Sequence, residues 1–394
     1  MPSSQSTPRT QSKSAKTLGK STEKTTDRKS SAYHADFEQH LIDHKIYPSD
    51  YEFPDNHEGP KPSNWEEIND RLKQPRPSLS PSRFSDRAFK NFVRTNSRAR
   101  TEAVVMRESF PIISGDDEIP SAGDLPFGNL EPLTDGTLVD PKPDFYDGAT
   151  PAQIDRRIRT QLGSYIIPST QQHRPALPNF FTEGKGPCGS LDVAKRQACY
   201  DGAVGARGVH ELRSFGAKGS ETLYDNNSYT ITSTFHNGNL KLYTVHPVQS
   251  TGSKNSPEYH MSQLRSFALT DTAERFREGA GALRNARNWA KQQRNEVIAA
   301  ANGRVLGMPM ETPTSESSSN NTLSQSTNEP VVLDSETSAE EAARDMSEQS
   351  RLSHKRLKRG PEKKHCSKLD TKKPPRKRYS AANGRSGSSG DLTS

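Results

Sequence analysis

Residues 228–247, SYTITSTFHNGNLKLYTVHP, leave little choice but a β-hairpin. β-branched and aromatic side chains alternate on both sides of Asn237-Gly238, and that dipeptide adopts the positive φ angles of a type I′ turn at low cost. A hairpin cannot bury its apolar face alone, so neighbouring segments must cover it. The run PNFFTEGKGP (178–187) predicts a buried strand, because two adjacent phenylalanines between prolines leave no length for a helix. Between strand and hairpin, residues 190–216 predict a long helix, with Ser190 as N-cap, Asp192 in its first turn and Gly216 at its exit. Upstream, residues 85–113 carry Phe89, Phe92, Val93, Val104 and Val105 at helical spacing behind a Ser85 cap, which predicts one or two helices. LTDGTLVDPKPDFYDG (133–148) predicts a short extended piece between turns, and QIDRRIRTQLGSYII (153–167) a helix running out at Pro168. After the hairpin, a long helix starts near Ala268 and ends near Gly303. Helix, strand, helix, strand, helix, two strands and helix predict an α/β fold with a single mixed-sheet domain.

Composition sets how much of the chain this domain takes. Only 29% of the 394 residues are hydrophobic and 28 are proline, which argues for one domain with long disordered N- and C-terminal tails rather than two domains. Residues 1–32 read as a disordered basic tail. Residues 33–83 begin with a short helix carrying Phe37, Leu41 and Ile42 up to Pro48, and continue as a Pro-rich segment expected to wrap over the core. Residues 84–305 form the core domain, and 306–394 a disordered tail, acidic from Asp334 to Glu348 and basic from Arg351 to Arg378. No run approaches the roughly 18 apolar residues of a membrane span, so no membrane partner is expected. Cys188, Cys199 and Cys366 have no paired spacing and read as reduced thiols inside the cell. The clusters HKRLKRG and KKPPRKR resemble a bipartite nuclear localisation signal, which implies a nuclear import receptor as partner and a nuclear location. Such basic tails also bind nucleic acid through phosphate neutralisation, so nucleic acid is an expected partner, while the oligomeric state stays open.

Four residues carry the chemistry that can be argued from sequence: Asp144 in KPDFYDG, Glu183 and Lys185 in FFTEGK, and Gln197 in the following helix. Glu183 and Lys185, two apart on a strand, project from one face. If Asp144 lies beside them, Asp144 and Glu183 can hold a magnesium ion, a hard cation that takes one or two carboxylates and completes its shell with water and phosphate oxygens. Lys185 would then steady the attacking water or the developing charge, and Gln197 would position nucleic acid or the lysine. Each element has an ordinary alternative: a loop aspartate capping a turn, a strand-end salt bridge, and helix surface.

Pro143-Asp144, Glu183, Lys185, Gln197 and Tyr200 together resemble the PD-(D/E)XK nuclease-like superfamily, over roughly residues 85–250. The resemblance implies a restriction-endonuclease-like core of a helix, three strands, a helix and a fourth strand. It also implies metal-dependent cleavage of nucleic acid, or a degenerate descendant of such an enzyme. It calls for an acidic residue on the first helix, for which Glu102 and Glu108 both qualify. The wider text is also similar to a large family of uncharacterised fungal proteins, which leaves a non-catalytic protein- or nucleic-acid-binding module as the alternative. Gly202–Gly208 lies within a helical pattern and lacks the Lys-Ser/Thr of a P-loop, so it predicts close helix packing. His210, His236, His246 and His260 have no zinc-ligand spacing.

Overall fold

The computed structural model of the chain describes residues 29–306 apart from 172, 218–223 and 251–256. The tail expected up to residue 32, the acidic and basic C-terminal segments and the import signal lie outside the described residues except for 29–32. Those four belong to the fold. Ser30 bridges Leu138 in parallel, its N–H donates to the Thr137 carbonyl at 2.8 Å, and Ala32 is buried, although these residues were expected in the tail.

In chain order the elements are α1 (Phe37–Asp43), β1 (Ile46–Tyr47), α2 (Trp65–Leu72) and α3 (Asp86–Arg98). They continue with α4 (Glu102–Val104) and α5 (Phe110–Ser114), joined by a π-helical stretch at Val105–Ser109, then β2 (Ser121–Ala122) and β3 (Phe145–Ala149). Next come α6 (Arg156–Gln161), α7 (Gly163–Ile166), β4 (Ala176–Lys185), α8 (Leu191–Ser214), β5 (Thr230–His236), β6 (Asn239–Val248), β7 (Glu258–Ala268) and α9 (Ala273–Leu306). The strands form one seven-stranded mixed sheet in the order β1-β7-β6-β5-β4-β3-β2. β4 runs parallel to β5 and β1 parallel to β7, and the other pairs are antiparallel. The α/β single-sheet architecture is as expected.

Adjacent residues on a strand face opposite sides of a sheet, and Phe180 and Phe181 show it on β4. Phe180 joins the core built with α2, α3 and α9, whereas Phe181 joins the one built with α1 and α8. β4 is therefore covered on both faces, and all ten of its residues are buried. Its root is tied to α9 by Asn179, whose side-chain amide donates to the carbonyls of Tyr229 and Ala290 and whose Oδ1 accepts from Arg294. β3 is tied to the same helix by a buried pair. Arg287 Nε and Nη2 donate to Asp147 Oδ2 and Oδ1 at 2.8 and 2.9 Å.

Local signals hold where periodicity is regular. Ser85 and Ser190 accept from Ala88 N–H and Val193 N–H and cap α3 and α8 as expected. Asn237 and Gly238 have φ of 49° and 81°, and a Cβ on Gly238 would lie 2.6 Å from Thr270 Cγ2. The small residues of α8 allow close approach, as expected: a Cβ on Gly202 would meet Val245 Cγ2 at 2.5 Å, and one on Gly205 would meet Phe181 at 2.6 Å.

Two expectations are corrected and one strand is new. β7 was not among the expected elements, and its burial does not alternate cleanly: the pairing slips between Leu242 and Tyr243, and Tyr259, His260 and Met261 are all buried. Residues 48–83 do more than wrap: α2 packs against α9 and puts Ile68 and Leu72 into the core, joined by Leu79. The helix expected over 153–167 is broken at Leu162 into α6 and α7, preceded by a 3₁₀ turn at Pro151–Gln153 with Thr150 and Gln153 forming a capping box. Among the described residues, no helix is long and apolar enough to cross a membrane.

Candidate functional site

The site forms where β4 leaves the sheet. Phe145 pairs with Thr182 across the antiparallel β3–β4 ladder, so Asp144, one residue before Phe145, falls opposite Glu183. Two hydrogen bonds fix the register: Asp144 N–H donates to Glu183 Oε1 at 3.2 Å, and Gly184 N–H donates to Asp144 Oδ2 at 2.8 Å. Glu183 and Lys185 share the β4 face that carries Phe181, which is the face covered by α8. A Cβ on Gly184 would sit 2.4 Å from Met106 Sδ, so the bare backbone there lets the helical segment around Met106 close on the strand. That segment begins with Glu102, held by the Thr101 cap.

Lys185 Nζ is the centre of the cluster. It lies 2.8 Å from Glu102 Oε2, 3.8 Å from Glu183 Oε2 and 3.9 Å from Asp144 Oδ2. Side-chain exposure rises outward, from 0% at Glu183 and 2% at Lys185 to 16% at Asp144 and 34% at Glu102. A buried strand end thus communicates with solvent through two carboxylates. The structure brings Asp144, Glu183 and Lys185 together and selects Glu102 over Glu108, which is exposed and paired with Arg107.

A fourth acid, Asp201 on α8, was not anticipated. It is buried and its carboxyl lies in hydrogen-bonding contact with that of Glu183. Two acceptors cannot satisfy each other as anions, and among the described residues no N–H donor reaches Glu183 Oε2 or Asp201 Oδ2. A proton shared between them resolves the contact in the free protein. Burial raises the pKa of Glu183 well above the usual range, and the neighbouring Asp201 adds to the shift. Burial, then Glu183, does the same to Asp144, and burial pushes Asp201 up to about 7. Burial alone would lower Lys185, but Asp144, Glu183 and Glu102 outweigh it and hold the ammonium above the ordinary lysine range. Four acids are thus gathered around one ammonium.

Gln197 lies one helical turn before Asp201, on the same face of α8, and its Oε1 is buried without a hydrogen-bond partner. It makes no hydrogen bond to Glu183 or Lys185. Tyr200 points elsewhere: it is buried with its ring edge-to-face with Phe37 at 5.9 Å. Cys199 is a free, buried packing residue whose thiol burial pushes up to about 12. Away from the site, His40, His44 and Asp135 also bring ligand-type atoms within 4.8 Å of one another. There Asp135 Oδ1 already accepts from Thr137 N–H and Oγ1 and lies 3.1 Å from His40 Nε2, the arrangement of a capped turn beside an imidazole.

Residues 1–301 match a family model described as a domain of unknown function (DUF7924). The comparisons with curated proteins and with solved structures gave no significant match.

Proposed function

The chain belongs to the DUF7924 family, whose designation carries no chemistry, and from the site itself we propose that its domain is of the PD-(D/E)XK kind and hydrolyses phosphodiester bonds in nucleic acid with magnesium. The observation that carries this reading is the convergence of Glu102, Asp144 and Glu183, from a helix, a loop and a strand, on one buried lysine. The order of elements supports it: the helical segment of Glu102, then β2, β3, β4, α8, and β5 parallel to β4, with α6 and α7 interposed between β3 and β4, follows the helix, three strands, helix and strand that the resemblance implies.

The donor set fits a hard divalent cation. Asp144 and Glu183 would hold it, and Glu183 Oε2, buried and reached by no N–H donor among the described residues, is the acceptor such an ion would satisfy. When bound, magnesium supplies polarisation of the phosphodiester and a lowered pKa for its coordinated water. Lys185 offers a positive charge held in place by three carboxylates, suited to orient the attacking water and stabilise charge developing on phosphate. Asp201 accepts or gives up the proton it shares with Glu183, so the free and loaded site can differ in charge without moving the backbone. Gln197 is available as a donor and acceptor beside this group. The basic clusters near the C-terminus, HKRLKRG and KKPPRKR, add nuclear import and further nucleic-acid contact to the proposal.

One observation favours a second reading, a non-catalytic binding module. Glu183 and Lys185 are almost wholly buried and already paired, as in a structural ion cluster. Cleavage of plasmid, single-stranded DNA and RNA with magnesium or manganese decides between them. Hydrolysis that needs metal, and falls by roughly 10²-fold or more in both Glu183→Ala and Lys185→Met, is the result expected of the nuclease. Equal inertness of the folded wild type and variants would assign the domain to binding.

A further inference from the structure

The polar face of α3 carries Arg87, Lys90, Arg94 and Arg98 at spacings of three, four and four, and all four are exposed. At 100° per residue these positions fall within a stripe about 80° wide. The opposite face holds Phe89, Phe92 and Val93, which pack into the core, so the stripe cannot turn inward. None of the four side chains makes an ion pair or a hydrogen bond among the described residues. The one acid on the helix, Asp86, stands in its first turn and pairs with Arg277 on α9. Solvated basic helix faces are usually laced with acids at i±4 that neutralise them. This one is not.

Its position gives the stripe a use. α3 ends at Arg98, exposed Arg100 follows, and Glu102 is the next acid of the site. The backbone of Arg100 to Glu102 lies against Gly186, directly after Lys185, so the C-terminal end of the stripe abuts the end of β4. From Arg87 to Arg98 the helix rises about 16 Å, comparable with about five phosphates at 3.4 Å per strand. We propose that the exposed face of α3 binds the phosphate backbone of nucleic acid and leads it to the Glu102–Lys185 site. The occupant is a polyanionic strand read through charge and spacing, because arginine and lysine on one helix face neutralise phosphates without reading bases. The inference deepens the nucleic-acid reading of that site, but it concerns binding and stands apart from hydrolysis.

The test is equilibrium binding of the full chain to a short fluorescent DNA duplex of mixed sequence, in chelator, over a range of salt. The quadruple variant Arg87→Gln/Lys90→Gln/Arg94→Gln/Arg98→Gln is expected to bind uniformly more weakly, with a log Kd against log salt slope shallower by about three to four. Its far-ultraviolet circular dichroism should match wild type, since glutamine is a good helix former. Arg87→Lys/Arg94→Lys/Arg98→Lys should keep the wild-type slope. An unchanged affinity and slope in the quadruple variant would overturn the proposal, as would an equal loss in the lysine variant. Because binding is read without metal, an inert cleavage assay leaves this result standing, and active cleavage with an unchanged slope removes only the α3 surface.

Discussion

Lys185→Met is expected to lower the unfolding free energy by about 3–5 kcal/mol at pH 8 and by distinctly less at pH 5. The methionine keeps most of the buried volume and removes the ammonium that Glu102, Asp144 and Glu183 surround. At pH 8 those carboxylates lose the charge that lets them ionise inside the fold, and breaking one side of a buried pair leaves the other uncompensated. The pH dependence has a definite sign. Asp144, Glu183 and Asp201 all have folded-state pKa values raised above the unfolded ones, Asp201 to about 7. Stability associated with their protonated forms is therefore fully present below about pH 4, the unfolded range, and is lost as pH rises towards 7 and beyond. Without Lys185 their pKa values rise further, so at pH 5 the acids simply hold protons and the missing cation costs less. Urea unfolding at the two pH values measures this, and an equal cost at both would mean that the cluster is not electrostatically coupled to the lysine.

Arg287→Met is expected to cost about 3–5 kcal/mol as well, and through a different route. Asp147 is fully buried and accepts two bonds from the Arg287 guanidinium, with a third from Ser121 Oγ at 2.7 Å. Arg287 also donates to the Ser114 carbonyl at 3.1 Å and lies over the Phe145 ring at 5.1 Å. Loss of the arginine leaves an anion in the core with one hydroxyl to hold it, and frees β3 from α9 three residues beyond Asp144. Thermal and urea denaturation should show the loss. The double variant Arg287→Met/Asp147→Leu should recover much of it, because replacing both partners by apolar groups removes the unpaired charge. A cost below about 1 kcal/mol for Arg287→Met, the range of an exposed pair, would show that the pair is far less desolvated than the structure indicates.

What could be read from sequence was local. The type I′ turn at Asn237-Gly238, the two-sided burial of Phe180 and Phe181, and the Ser190 cap of α8 each follow from a few neighbouring residues. β7 failed that test because a slip in pairing at Leu242 and Tyr243 spoils its alternation, and its first residues are covered on both faces. α2 failed because its charges and the prolines on either side disguise an amphipathic turn whose apolar side, Ile68 and Leu72, meets α9 more than 200 residues later. The candidate site divides in the same way. Glu183 and Lys185 could be placed on one face from strand period alone, and Asp144 beside them once a resemblance suggested it. The choice of Glu102 over Glu108 rests on a contact 83 residues away in sequence, which no local pattern encodes. Asp201 looks like an ordinary mid-helix charge. Only the close approach of α8 to the sheet at Gly202 and Gly205 turns that side chain onto Glu183.

The acids around Lys185 are expected to bind a divalent metal ion in solution. The decisive measurement is calorimetric titration of the full chain with manganese at pH 7, in buffers of different ionisation enthalpy. Saturable binding with net proton release is expected, because the proton shared by Glu183 and Asp201 must leave when the carboxylates take a cation, and Glu183→Ala and Asp144→Asn should each abolish that binding. Absence of binding to the folded wild type, or binding that both variants retain, would contradict this expectation.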